Sequence, residues 1–78
     1  MSVNRELRWR CRRGMKELDL LLCRYLDRDY TAASAAEQAA FAALLNYPDP
    51  ELLALLLGQA SPADQPTADV LERIRAPD

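Results

Sequence analysis

Arg12-Arg13-Gly14-Met15-Lys16-Glu17-Leu18-Asp19 is the stretch on which the fold turns. Apolar residues recur at helical spacing on both sides of it, and a glycine stands between the two runs. Glycine inside a continuous helix costs roughly 1 kcal/mol against alanine. A small chain has little stability to lose, so the position predicts something only glycine provides. That is a turn between two helices, or a bare patch of backbone that a partner can approach closely.

Working outward, a first helix is expected over residues 4–12, with Asn4 as its N-cap and Leu7 and Cys11 as apolar positions. Trp9, the sole tryptophan, is expected to cover the core where this helix docks, with a partly exposed hot spot as the alternative. A second helix follows from about Met15 to Asp27 or a little beyond. Met15, Leu18, Leu22, Tyr25 and Leu26 recur at spacings of three and four, and Leu20 and Leu21 widen the apolar face. Ser34-Ala35-Ala36-Glu37 fits a capping box and opens a third helix over residues 35–46, anchored by Phe41, Leu44 and Leu45. Tyr47-Pro48 ends it, because proline disfavours helix at the preceding residue. Asp49-Pro50-Glu51 restarts the chain with Asp49 as cap and Pro50 at the first helical position, and Gly58 stops this fourth helix. Residues 61–66 read as a loop, and a last helix over residues 68–75 carries Val70, Leu71 and Ile74. Valine, isoleucine and threonine occur only five times in total, so strands have little support. The expectation is one all-α domain over residues 1–78, a small bundle of about five short helices.

The 78 residues include no histidine, which removes the commonest general base and the commonest metal ligand. Cys11 and Cys23 are the only thiols, lack a Cys-x-x-Cys arrangement, and read as small apolar residues. No secretory signal and no span-length apolar run is visible, so a cytoplasmic protein with reduced cysteines is expected. Net charge is −2 but polarised: residues 1–16 hold six basic groups against Glu6, and residues 17–78 hold four basic against eleven acidic. Such a surface orients an encounter with a partner of complementary field.

Enzyme chemistry finds no support. Glu17 and Asp19 are two residues apart and point to different sides of a helix, and two glycines cannot build a phosphate loop. Arg5, Arg8 and Arg12 share a helix side near Trp9, an arrangement that nucleic acid could use, but the acidic balance and the lack of any such motif favour a protein-binding or solvated face. Arg13, Gly14 and Glu17 keep two readings: a helix junction with solvated charges, or a recognition patch in which Gly14 gives closeness and the charges give directional bonds.

Arg13-Gly14-x-x-Glu17 resembles the Arg-Gly-x-x-Glu signature of the small flavinylation factors of succinate dehydrogenase, called SdhE in bacteria. Asp19 continues the family's Glu-x-Asp, Tyr25 matches its mid-helix aromatic, and Phe41-x-x-Leu44-Leu45 with Asp49-Pro50-Glu51-Leu52 resembles its third and fourth helices. One departure is Leu55, where many members carry tryptophan. The resemblance implies an assembly chaperone, not an enzyme. Its partner would be the flavoprotein subunit of succinate dehydrogenase, with that of fumarate reductase as a second candidate. FAD would become covalently attached to a histidine of that partner, with no cofactor held stably by this chain. Arg13, Gly14 and Glu17 would make the contact, with Arg12 and Asp19 beside them. A monomer that binds neither nucleic acid nor membrane is expected. The alternative is an antitoxin-like or other regulatory protein-binding module.

Overall fold

Gly14 lies at φ +83°, in a break between two helices, so the chain turns there. An L-residue in that left-handed region costs roughly 1–2 kcal/mol, which is why glycine holds the position. The computed structural model describes the backbone of residues 2–76 and the side chains of residues 5–76. Five α-helices follow one another: α1 (Ser2–Arg10), α2 (Lys16–Tyr25), α3 (Ala35–Leu44), α4 (Asp49–Leu56) and α5 (Gln65–Arg75). No strand occurs among the described residues, and no helix among them is long and apolar enough to cross a membrane. The expected all-α architecture is the one observed.

Several boundaries differ from the expectation, each for a local reason. Helix α1 already includes Ser2, so Asn4 lies inside it and is not its cap; the Asn4 side chain lies outside the described residues. Helix α2 is regular only to Tyr25, and the helical run goes on a little beyond residue 27, as expected, but as a π-helical turn, Leu26–Tyr30. In an α-helix, residues five apart are about 140° out of phase. The wider turn lets Tyr25 and Tyr30 both reach Phe41, with ring centroids at 4.6 and 5.8 Å. Pro48, not Asp49, takes the extended cap position of α4, and Asp49 turns to an arginine instead. Helix α5 begins at Gln65, three residues before the expected start, because Asp64 caps it by accepting from Thr67 N–H at 3.0 Å and Pro66 fits the first turn.

Other signals hold. Ser34 Oγ accepts from Glu37 N–H at 3.2 Å, the serine half of the expected capping box. At the end of α4, Gly58 (φ +77°) donates to Leu55 O and Gln59 donates to Ala54 O, the paired bonds of a Schellman motif.

One apolar cluster runs through the bundle. Leu7 and Cys11 join Leu18, Leu22, Tyr25 and Leu26 from α2 and its π turn, Phe41, Leu44 and Leu45 from the α3 end, Leu52, Leu55 and Leu56 from α4, and Val70, Leu71 and Ile74 from α5. Leu55 is buried there, so leucine does fill a core role at that position. Helix α5 packs on α3, α2 and α4, while α1 rests on the π turn.

Arginines close the helix ends from a distance. Neither α3 nor α4 has a basic residue in its last turn, although the last carbonyls of a helix lack partners and carry partial negative charge. Arg10 reaches Ala42 O and the Asn46 side chain near the end of α3, and Arg75 reaches Leu55 O and Leu56 O at the end of α4. Arg24 donates to Ala76 O at 2.6 Å and Arg28 to Arg73 O at 3.0 Å, which closes α5.

Candidate functional site

The junction of α1 and α2, residues 11–15, brings the motif residues together and divides them into two groups. Arg13 points inward with a side chain only 11% exposed. Its Nε donates to Asp49 Oδ1 at 2.7 Å, its Nη1 to Leu45 O at 2.7 Å, and its Nη2 to Tyr47 O. The planar fork of guanidinium suits this task, since one group serves a carboxylate and two carbonyls at fixed angles. Arg13 therefore ties the junction to the connection between α3 and α4. It is not the solvated charge that the plain junction reading expects.

Asp19 holds the same loop from the other side. Its Oδ1 accepts from Arg13 N–H at 2.7 Å and its Oδ2 from Gly14 N–H at 3.3 Å. One carboxylate thus grips two successive backbone donors while sitting in the first turn of α2, where negative charge is favoured. The loop is fixed at both ends: by its own Arg13 to α3 and α4, and by Asp19 to α2.

Gly14, Glu17 and Arg12 form the outward group, and all three are exposed. Nothing lies within 4 Å of where a Cβ on Gly14 would sit, so its backbone faces open space. Glu17 lies in the first turn of α2, one residue past Lys16. The arrangement is a rigid loop offering bare backbone flanked by a carboxylate and cations. It can make directional polar contacts. It holds no nucleophile with an oriented base, and no group of His, Cys, Asp and Glu able to hold a metal occurs among the described residues.

Trp9 departs from its expected role. It is 73% exposed and does not cover the core. Helix geometry gives the reason: Leu7 and Cys11 face inward, and Trp9 sits two residues from each, about 200° around the axis. Leu20 is 66% exposed by the same relation to the buried Leu18 and Leu22, so it does not widen the buried face. Met15, expected in the buried stripe, is exposed because it precedes the first turn of α2 in extended conformation. Exposure of Trp9 was the alternative reading of the sequence; that of Leu20 was missed, and the phase of the flanking Leu18 and Leu22 was its signal.

The cysteines behave as expected. Cys11 is fully buried beside Cys23, and burial pushes its thiol up to about 12, so it stays protonated. Tyr25 is also fully buried, and loss of hydration raises its phenol to about 12.

Residues 5–78 match the family described as flavinator of succinate dehydrogenase. Among its relatives, the FAD assembly factor SdhE of Methylococcus capsulatus is 41% identical over 97% of this chain and 92% of its own length. The proteins of the same name from Haemophilus ducreyi and Coxiella burnetii are 37% and 36% identical, covering 96% and 94% of this chain and 93% and 89% of their own lengths. With a family match spanning all but the first four residues, this chain belongs to the flavinators of succinate dehydrogenase.

Proposed function

We propose that this protein binds the flavoprotein subunit of succinate dehydrogenase and promotes covalent attachment of FAD to it. The observation that carries the reading is membership of the flavinator family over nearly the whole chain. FAD is the substrate of a reaction on the partner. This chain supplies no bond-making residue, and with no histidine of its own the acceptor side chain belongs to the subunit. The flavoprotein of fumarate reductase is a second client on the same chemistry. The factor acts in the cytoplasm as a monomer, a state that light scattering of the purified chain checks.

The mode of action is positioning. Gly14, Glu17 and Arg12 meet the subunit, while Arg13 and Asp19 hold the loop in the shape that makes the meeting possible. A partner clamped in the reactive arrangement gains rate because orientation is settled before chemistry begins; at the extreme this lowers a barrier by roughly 7–11 kcal/mol. The dense internal bonding of Arg13 and Asp19 supports the assignment of a shape-keeping part to these two.

Covalent flavin, read as fluorescence of the denatured subunit in a gel, tests this. Apo-subunit and FAD are incubated alone, with wild-type chain, and with Gly14→Asn or Gly14→Arg. Asparagine tolerates positive φ better than most residues, so it keeps the turn while laying a side chain over the bare backbone. Wild type should accelerate labelling and both variants should not, while their helical spectra stay native. Equal stimulation by the variants refutes the docking role of Gly14, and no stimulation by the wild type refutes the function.

A further inference from the structure

The face of the molecule beside the junction is built like a docking surface, yet Arg-Gly-x-x-Glu does not include it. Trp9 lies in a shallow hollow on α1 with Arg5, Glu6, Arg8 and Arg12. A second hollow, lined by Arg12, Lys16, Asp19, Leu20 and Cys23, shares Arg12 with the first. Exposed apolar groups therefore stand at the two ends, Trp9 on α1 and Leu20 on α2, with Arg12 between them. Arg8 is paired with Asp27 of the π turn, on which α1 rests. Arg5, Arg12 and Lys16 make no ion pair among the described residues.

Two costs argue that the surface is meant to be covered. A tryptophan exposed at 73% forgoes the burial of one of the largest apolar side chains, and Leu20 does the same nearby. Cations gathered on one side of a chain whose net charge is −2 concentrate a positive field where the rest of the protein is acidic. Tryptophan and arginine together are the residue types that dominate binding energy at protein interfaces.

We infer that the Trp9–Arg12–Leu20 face docks an acidic segment of the flavoprotein subunit that carries an apolar side chain. The apolar group seats between Trp9 and Leu20, and its neighbouring carboxylates meet Arg5, Arg12 and Lys16. The inference rests on the proposed function and deepens it. The bare backbone at Gly14 supplies close approach at the flavin site, and the adjoining face supplies most of the affinity and the direction of approach. Charge complementarity selects the occupant: a carboxylate-bearing segment gains from three cations that make no ion pair among the described residues, whereas a basic or neutral one does not.

Affinity for the purified flavoprotein subunit is measured for wild type, Trp9→Ala, Trp9→Phe, Leu20→Ser and the double variant Arg5→Glu/Arg12→Glu, each first shown to melt as the wild type does. A single-stranded oligonucleotide and anionic phospholipid vesicles serve as alternative ligands. Trp9→Ala and the double charge reversal should each weaken subunit binding about 10- to 100-fold, Leu20→Ser less, and Trp9→Phe should retain most of it. Wild-type affinity should fall as salt rises. Binding by all variants within about twofold of wild type overturns this inference and leaves the proposed function standing. Wild type binding the oligonucleotide or the vesicles but not the subunit overturns both.

Discussion

Replacing Arg13 by alanine should loosen the whole molecule, although Arg13 belongs to a recognition motif. The guanidinium makes three bonds with a side chain 11% exposed, one to Asp49 and two to the carbonyls of Leu45 and Tyr47. A hydrogen bond to a charged group contributes about 1.5–3 kcal/mol net. These three share one donor group and are not additive, and Asp49 is 35% exposed, so solvent screens part of the ion pair. Loss of the guanidinium should therefore cost about 2–4 kcal/mol. A domain of this length has a total stability of about 4–12 kcal/mol, so the loss is a large fraction of it. At about 4–8 °C per kcal/mol, thermal unfolding followed by circular dichroism should move down by roughly 10–25 °C. Arg13→Lys keeps the charge without the fork and should recover only a minor part. A double-mutant cycle with Asp49→Ala should show a coupling of about 1 kcal/mol. A melting temperature for Arg13→Ala within about 3 °C of wild type would refute the clamp and return Arg13 to the solvated surface.

Glu17→Ala should leave the melting curve where it is, because Glu17 is exposed, while Asp19→Ala should lower stability by about 1–2 kcal/mol by releasing the two loop donors it holds; urea titrations of both variants compare the two directly. Tyr25→Phe should raise stability by up to about 1 kcal/mol in the same titration, since the buried Tyr25 hydroxyl has no hydrogen-bond partner among the described residues. A thiol reagent applied to the native protein should label Cys23 and spare Cys11, and both should react in denaturant; equal native labelling would contradict the burial of Cys11. Both Cys11 and Tyr25 have native values raised to about 12, so the unfolded chain gives up these protons first as pH rises. Stability is then full below the unfolded thiol value, about 8.5, and should fall as pH climbs from there toward 12; Cys11→Ala should flatten the early part of that fall in alkaline melts.

The candidate site was legible in part. Gly14 could be read because glycine between two helical runs has few uses, and the observed φ of +83° agrees with the turn. The outward position of Trp9 and Leu20 was legible too, from phase alone: each stands two residues from inward-facing neighbours on both sides. Apolar character outweighed phase in the expectation, which placed Leu20 inside and favoured core cover for Trp9, with a partly exposed hot spot as the alternative. The division of labour within the motif was not legible. Arg12 and Arg13 are adjacent and chemically identical, yet one is exposed and the other is locked to residues more than thirty positions away.

What the sequence by itself determined is the set of helices and their punctuation. Periodicity, the Ser34 and Asp64 caps and the two glycines act over a few residues, so the local chain suffices to specify them. Tertiary structure decided where the arginines go. Helices α3 and α4 end without a basic residue of their own, and their bare carbonyls draw in Arg10, Arg13 and Arg75 from other elements. Which cation answers which carbonyl depends on how the helices pack. The same packing fixes the π turn, since Tyr25 and Tyr30 can both meet Phe41 only once α3 is in place against α2. Local propensity acts within a turn or two of helix, whereas capping across the bundle and ring packing are satisfied only in the assembled core.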